Sequence, residues 1–166
     1  MAATMRAPTI MVRKRVYQKE GDGLCFSACI ASLMGVSLSD VPCFWEQDGD
    51  RKRRVDMSQS AKRWLRECGY VWWELKWDRD DLGTQHDPVP SIVSGESPRG
   101  IMHAIVCEFF TMPDTKQHAV QMIHDPHPSG AGIKEPLWIG WLLPLQHSHR
   151  SSTEHTESTT PNRAEG

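Results

Sequence analysis

The sequence lacks a long hydrophobic run and an excess of charge of either sign. No stretch comes near the ~20 apolar residues of a transmembrane helix, and residues 1–12 lack the uninterrupted apolar segment of a signal peptide. The 19 Lys and Arg residues nearly balance the 21 Asp and Glu residues, which leaves no basic footprint for duplex nucleic acid. We therefore expect neither a membrane nor a nucleic acid as partner, and we interpret the basic run at 51–54 as a solvated loop.

Cysteine is present without a disulfide framework. The five cysteines are odd in number and irregular in spacing, which favours reduced thiols and a cytoplasmic location over a secreted scaffold. A cysteine enzyme that acts outside the cell after lysis or delivery would carry the same pattern.

The length and composition predict one domain. A chain of 166 residues with 39% hydrophobic content can bury a sizeable core. We expect a flexible N-terminal arm at 1–15, a folded domain at 16–145 and a disordered tail at 146–166, because the tail is almost devoid of apolar residues.

Hydrophobic periodicity predicts an α+β fold in which a cysteine-bearing helix packs on an antiparallel sheet. The predicted helices lie between Asp22 and Gly35 and at 57–69, and the predicted strands lie at 70–77, 91–93, 101–110, 118–124 and within 133–145. The spacing of apolar residues in the second helix predicts that Cys68 is buried.

The first helix carries the candidate nucleophile. Asp22 is a suitable N-cap and Gly35 a left-handed stop, so Cys25 falls in the first turn. Unpaired N–H groups and the helix dipole there favour a thiolate and lower the cysteine pKa, although an anionic Asp22 works against this. Cys29, one turn further on, has the apolar surroundings of an inert thiol. Helix position alone does not supply the base.

Histidine and aspartate follow in the order that a cysteine hydrolase requires. His103 stands at the start of a predicted strand and Asp125 closes the next one. The short turn at 112–116 predicts a hairpin that pairs residues near 103 with residues near 124, which brings the two side chains together. Taken singly, a strand histidine is typical of a core and an Asp before Pro is typical of a turn. Their joint order favours a Cys-His-Asp triad.

Three further side chains are candidates for the same site. His124 and His127 compete with His103 for the role of base, but they flank a proline-containing loop and are expected to line the site. Gln18 lies just upstream of Cys25, where its amide could donate to an oxyanion together with the Cys25 N–H. An exposed loop residue is the equal alternative for Gln18.

Three blocks of the chain, at 22–42, 95–106 and 124–130, resemble papain-like cysteine peptidases, and most closely the phage and bacterial proteins similar to double-glycine leader peptidases of bacteriocin exporters. The resemblance spans roughly residues 16–142. The resemblance implies a papain-like fold and the roles of nucleophile, base, orienting acid and oxyanion donor. These roles fall in that order to Cys25, His103, Asp125 and Gln18. Gln18 precedes Cys25 by seven positions, one more than in the family, so the loop carries an extra residue.

The functional expectation is a cysteine hydrolase that acts on a peptide, isopeptide or side-chain amide of a peptide or protein substrate and needs no cofactor. Two alternatives remain. One is a catalytically silent papain-like fold that binds a host or partner protein through its tryptophan-rich surface. The other is a zinc-binding module built from Cys25, Cys29, His124 and His127.

Overall fold

The fold consists of two helices followed by five strands. The computed structural model describes residues 14–18, 24–44, 53–78, 82, 85 and 87–145, and for 53–58 it describes the backbone alone. The elements are α1 (Cys25–Met34), a single 3-10 turn (Leu38–Asp40), α2 (Arg53–Glu67), β1 (Tyr70–Lys76), β2 (Val89–Glu96), β3 (Met102–Thr111), β4 (His118–His124) and β5 (Glu135–Pro144). The predicted α+β class is confirmed. Most of the predicted arm and all of the predicted tail lie outside the described residues.

The five strands form one antiparallel sheet in the order β1-β5-β2-β3-β4. β2, β3 and β4 are joined as successive hairpins, and β5 returns to pair between β1 and β2. Consequently β3, which carries His103, has a neighbour on each side, whereas β4 lies at an edge. Two of the strands are longer than predicted, since β2 extends over Val89–Glu96 and β5 over Glu135–Pro144.

The ends of α1 explain where Cys25 lies. Leu24 occupies the N-cap position without a side-chain cap, and α1 begins at Cys25. The prediction of Asp22 as the N-cap is therefore wrong, and Asp22 itself lies outside the described residues. Gly35 ends the helix with a φ of 76°, and its N–H donates to the Ala31 carbonyl at 2.8 Å, as expected for a left-handed glycine cap. The predictions for Cys25 and Gly35 are therefore confirmed.

Helix α2 begins earlier than the sequence predicts. Arg53 and Arg54 are helical, so the interpretation of 51–54 as a loop is wrong for these two residues. Ala61 and Leu65 are buried, as their spacing predicts. Cys68 is exposed, because the helix ends at Glu67 and Cys68 lies in the turn that follows.

Both faces of the sheet are covered. Both helices pack on one face, where Ile30 and Leu65 meet Trp72 and Val106 of the sheet. On the other face the sheet buries a second cluster of its own side chains, namely Val93, Ile105, Cys107, Phe109, Ile139 and Trp141. None of the described helices combines the length and the apolar character needed to cross a membrane.

The segment 14–18 is held between α1 and the end of β4. The Val16 N–H donates to the Ser32 hydroxyl at 3.1 Å, and His124 Nε2 donates to the Val16 carbonyl at 2.8 Å. The Gln18 N–H donates to the Pro126 carbonyl at 3.0 Å. These bonds bring Gln18 next to the loop that carries Asp125.

Gly140 leaves room for the Trp72 ring in the helix-side core, the cluster in which both helices pack on the sheet. A Cβ at Gly140 would lie 2.2 Å from Trp72 Cζ2, well inside the van der Waals contact distance. Trp72 is itself fixed by an edge contact with Phe26, the ring centroids being 5.3 Å apart. Since a side chain at 140 would displace this ring, the packing beneath the start of α1 requires glycine.

We expect Gly140→Ala to destabilise the protein by about 1–3 kcal/mol, the usual cost of overpacking a core. The free energy of unfolding in urea measures the effect. In a double-mutant cycle with Trp72→Leu, the alanine should cost much less, because the ring with which it collides is gone. Equal costs in the two backgrounds would contradict this explanation.

Candidate active site

Cys25 lies at the junction between α1 and β3. The backbone N–H groups of Ala104, Phe26 and Cys25 itself lie close to its sulfur and favour the thiolate, which lowers the pKa of Cys25. Burial nevertheless raises the pKa of the Cys25 thiol above its ordinary value of 9.0, and the negative charge of Asp125 adds to this rise. The expectation of a lowered pKa is therefore wrong, because desolvation of the thiolate outweighs the stabilisation by the first helical turn.

Cys29 behaves as predicted. Its side chain is fully buried, and burial raises the pKa of its thiol well above the ordinary value. A thiol that is both shielded and protonated is inert. Of the two cysteines on α1, Cys25 is thus the one that a substrate can reach.

His103 and Asp125 form a buried hydrogen-bonded pair. His103 Nε2 lies 2.7 Å from Asp125 Oδ1, and His103 is only 3% exposed. Since an ionised carboxylate can only accept, Nε2 carries the proton and Nδ1 is the nitrogen with the free lone pair. The structure thus brings together two of the residues predicted from the sequence.

The loop after β4 holds the Asp125 carboxylate. The His127 N–H donates to Oδ1 at 2.8 Å, and the Gly132 N–H donates to Oδ2 at 2.7 Å. Burial opposes ionisation, but the hydrogen bonds from His103, Gly132 and His127 outweigh it and lower the pKa of Asp125 below its ordinary value. Asp125 is therefore a carboxylate at neutral pH.

His103 is neutral at the same pH. Burial lowers the pKa of His103 below its ordinary value of 6.5, and the positive charge of Arg99 contributes to the lowering, whereas the hydrogen bond and charge of Asp125 oppose it. A protonated Cys25 and a neutral His103 follow from these two shifts. The resting site consists of a thiol, an imidazole and a carboxylate, and it contains no thiolate–imidazolium pair.

The hairpin register differs from the predicted one. His124 pairs with Val106, a bulge separates this pair from Cys107, and His103 pairs with Gly95 of β2. The chain leaves β4 at Asp125, whose side chain then reaches back to His103. The predicted proximity is thus achieved by the loop rather than by direct pairing of 103 with 124.

Strand alternation places His103 and Ala104 on different sides of β3. Ala104 belongs to the helix-side core, whereas Ile105, two residues from His103, belongs to the opposite cluster. His103 is the second residue of β3, so its ring lies close to the end of the strand.

Gln18 is buried beside the same loop. It is 7% exposed, and its Oε1 atom has no hydrogen-bond partner among the residues that the structure describes. The alternative of an exposed loop residue is therefore wrong. The proposed extra residue between Gln18 and Cys25 falls at 19–23, outside the described residues.

The other two histidines have structural partners. His124 Nε2 donates to the Val16 carbonyl, so its ring fixes the N-terminal segment. His127 Nε2 contacts the Arg99 guanidinium, and His127 Nδ1 lies 2.8 Å from the Ser129 hydroxyl. Both are buried, and the ring that is hydrogen-bonded to Asp125 is that of His103.

The zinc alternative is wrong for the four residues it used. Cys29 is enclosed in the core, and His124 is committed to the Val16 carbonyl. Within the described parts of the chain, no three His, Cys, Asp or Glu side chains converge as metal ligands. A tetrahedral site needs such convergence.

Arg99 is the site residue that sequence reasoning missed. It lies in the turn before β3, its backbone four positions ahead of His103, and its side chain is exposed. No sequence motif marks it, because its partner His127 lies 28 residues further along the chain. Only the folded loop after β4 brings the two together.

A basic groove lies between α2 and β1. Its volume is about 330 Å³, and it is lined by Gln59, Lys62, Arg63, Arg66, Val71 and Trp72. None of the predicted site residues lines it. Trp72 connects the two regions, since its ring also contacts Phe26, the neighbour of Cys25.

Comparisons with known proteins add no family assignment. No protein-family model matches the chain, and no curated protein matches it.

We expect Asp125→Asn to lower the pKa of His103 further, because the carboxylate is the group that supports the imidazolium. The titration of the His103 ring, followed by NMR, measures the shift. Asp114→Asn, in the exposed β3–β4 turn, is the matched control and should leave His103 unchanged. An unchanged or raised pKa in Asp125→Asn would show that the pair does not govern the ring.

Proposed function

We propose that this chain is a papain-like cysteine hydrolase that cleaves a peptide, isopeptide or side-chain amide bond. The observation that carries the proposal is the buried hydrogen bond of 2.7 Å between His103 and Asp125. His103 directly precedes Ala104, whose backbone N–H lies close to the Cys25 sulfur and favours its thiolate. A thiol, an imidazole with a free Nδ1 and an orienting carboxylate are the parts that acyl transfer needs.

The proposed first step is general-base attack. His103 Nδ1 takes the Cys25 proton as the sulfur bonds to the substrate carbonyl carbon, and the carbonyl electron pair moves to oxygen. The imidazolium then gives its proton to the leaving nitrogen, and the C–N bond breaks to leave a thioester. Water, deprotonated by His103, attacks the thioester, and expulsion of the thiolate with return of the proton regenerates the thiol.

Gln18 is the proposed oxyanion donor. Its carboxamide is buried, lacks a hydrogen bond for its oxygen within the described residues, and is tethered to the Asp125 loop through Pro126. The N–H₂ group of a glutamine carboxamide is a suitable donor to a developing negative charge. The Cys25 backbone N–H is the second proposed donor.

A binding role without turnover is the second candidate. Trp73 is 54% exposed and Trp138 is 45% exposed, and large exposed aromatic side chains favour protein–protein contacts. The free thiols of Cys25, Cys29, Cys68 and Cys107 are consistent with our proposal that either role is carried out in a reducing compartment. Replacement of Cys25 distinguishes the two candidates, because hydrolysis requires the thiol and binding does not.

We expect Cys25→Ala to lower amide-bond cleavage by at least about a thousandfold, because no other group replaces the nucleophile. Mass spectrometry of a synthetic library of peptides and isopeptides, incubated with the protein, measures cleavage. Cys29→Ala, on the same helix but in the core, is the matched control and should retain activity.

Cleavage that survives in Cys25→Ala, or a complete lack of cleavage by the intact protein, would contradict the hydrolase. A Cys25→Ala variant with an undiminished effect on the cell would instead favour the binding role.

The pH profile should reflect a neutral resting pair. Activity should fall on the acidic side only below pH 6.5, because His103 must be unprotonated and burial lowers its pKa. On the alkaline side it should fall only above pH 9.0, because the raised pKa keeps Cys25 protonated up to that point. The profile of kcat/KM measures both limbs, and an acidic limb above pH 6.5 or an alkaline limb below pH 9.0 would contradict these two pKa shifts.

A further inference from the structure

An uncompensated cation lies at the mouth of the candidate active site. Arg99 is exposed, and no carboxylate among the described residues pairs with it. Among those residues its partner is the ring nitrogen Nε2 of His127. An arginine retains its charge at every relevant pH and presents several N–H donors in a plane, so most of its hydrogen-bonding capacity remains open to a ligand.

The position of Arg99 relates it to the reacting groups. His127, which contacts Arg99, has its ring centroid 6.2 Å from that of His103. The His127 N–H also donates to Asp125, so the ring and the carboxylate are fixed relative to one another. The charge of Arg99 acts on His103 directly. Arg99 is therefore close enough to bind a group attached to the substrate near the scissile bond.

A lysine near Arg99, in contrast, forms an ion pair with a carboxylate. Lys134 Nζ lies 2.9 Å from Glu96 Oε1, and both side chains are about half exposed. Glu96 ends β2, one residue before the turn that contains Arg99. The Glu96 carboxylate is thus paired with Lys134.

We propose that Arg99 is a specificity residue that binds a carboxylate of the substrate beside the scissile bond. This inference rests on the hydrolase proposed above. A carboxylate matches the planar donor fork of arginine in a bidentate geometry. Two sources supply it: the side chain of Asp or Glu, or the terminal carboxylate of a peptide chain.

The first test uses alkylation of Cys25 and does not depend on turnover. Iodoacetate and iodoacetamide differ in charge and deliver their carbon to the same sulfur, with loss of iodide. We expect the ratio of their rates at Cys25 to exceed the ratio for N-acetylcysteine by about fivefold or more, because Arg99 attracts the anion. The excess should shrink as salt is added.

Variants of Arg99 test whether its positive charge causes the preference of Cys25 for iodoacetate. Arg99→Gln should abolish the excess, whereas Arg99→Lys should retain part of it. Lys134→Gln removes a cation that is already paired with Glu96 and is the matched control, with no change expected. Each variant is exposed at the surface, and circular dichroism checks that it is folded.

A second arm distinguishes the two sources of the carboxylate. N-acetylglutamate α-amide and N-acetylglutamine are isomers of equal charge, the first with a side-chain carboxylate and the second with a terminal one. The isomer that resembles the substrate should slow the labelling of Cys25 by iodoacetamide, and N-acetylglutamine α-amide is the neutral control. Either isomer supports the proposal if its effect is lost in Arg99→Gln.

The outcomes separate this inference from the proposed function. Normal cleavage with no preference for iodoacetate and no protection by either isomer would overturn the role of Arg99 alone. An iodoacetate preference that persists in Arg99→Gln would also overturn it. Failure of both reagents to label Cys25, with labelling restored on unfolding, would overturn the hydrolase and with it this inference.

Discussion

The buried carboxylate of Asp125 is the group on which the site depends. A carboxylate that is removed from water must be given donors, and Asp125 receives them from the His103 ring and from the N–H groups of His127 and Gly132. The two N–H bonds fold the proline-containing loop into one shape. That shape places His127 against Arg99 and the Pro126 carbonyl against the Gln18 N–H. A single buried charge thus orders side chains from three distant segments.

Burial also determines the protonation states of Cys25 and His103. At the start of α1, N–H groups favour a thiolate, but they do not compensate for the loss of water around the sulfur. At β3, burial likewise outweighs the support that Asp125 gives to the His103 imidazolium. Burial thus disfavours transfer of the Cys25 proton to His103, because the transfer would create a thiolate and an imidazolium. On the proposed mechanism, proton transfer and attack on the carbonyl are concerted for this reason.

The sequence predicts those features that depend on short stretches of chain. The placement of Cys25 in the first turn of α1, the end of the helix at Gly35 and the irregular loop after His124 follow from local residue types. Properties that depend on distant contacts were not predictable. The bulge beside Val106 shifts the hairpin register, and the partner of His124 is a carbonyl 108 residues away. The pKa of Cys25 likewise reflects tertiary burial, which helix position does not reveal.

Arg99 connects substrate recognition to catalysis on the proposed mechanism. Its charge repels an imidazolium at His103, so in the absence of substrate it opposes the very proton transfer that the reaction requires. A substrate carboxylate bound at Arg99 neutralises this repulsion and allows Asp125 to stabilise the imidazolium. Substrates without the carboxylate leave the repulsion in place. The binding energy of a remote group is in this way expressed in the transition state, where it raises the rate rather than merely tightening the ground-state complex.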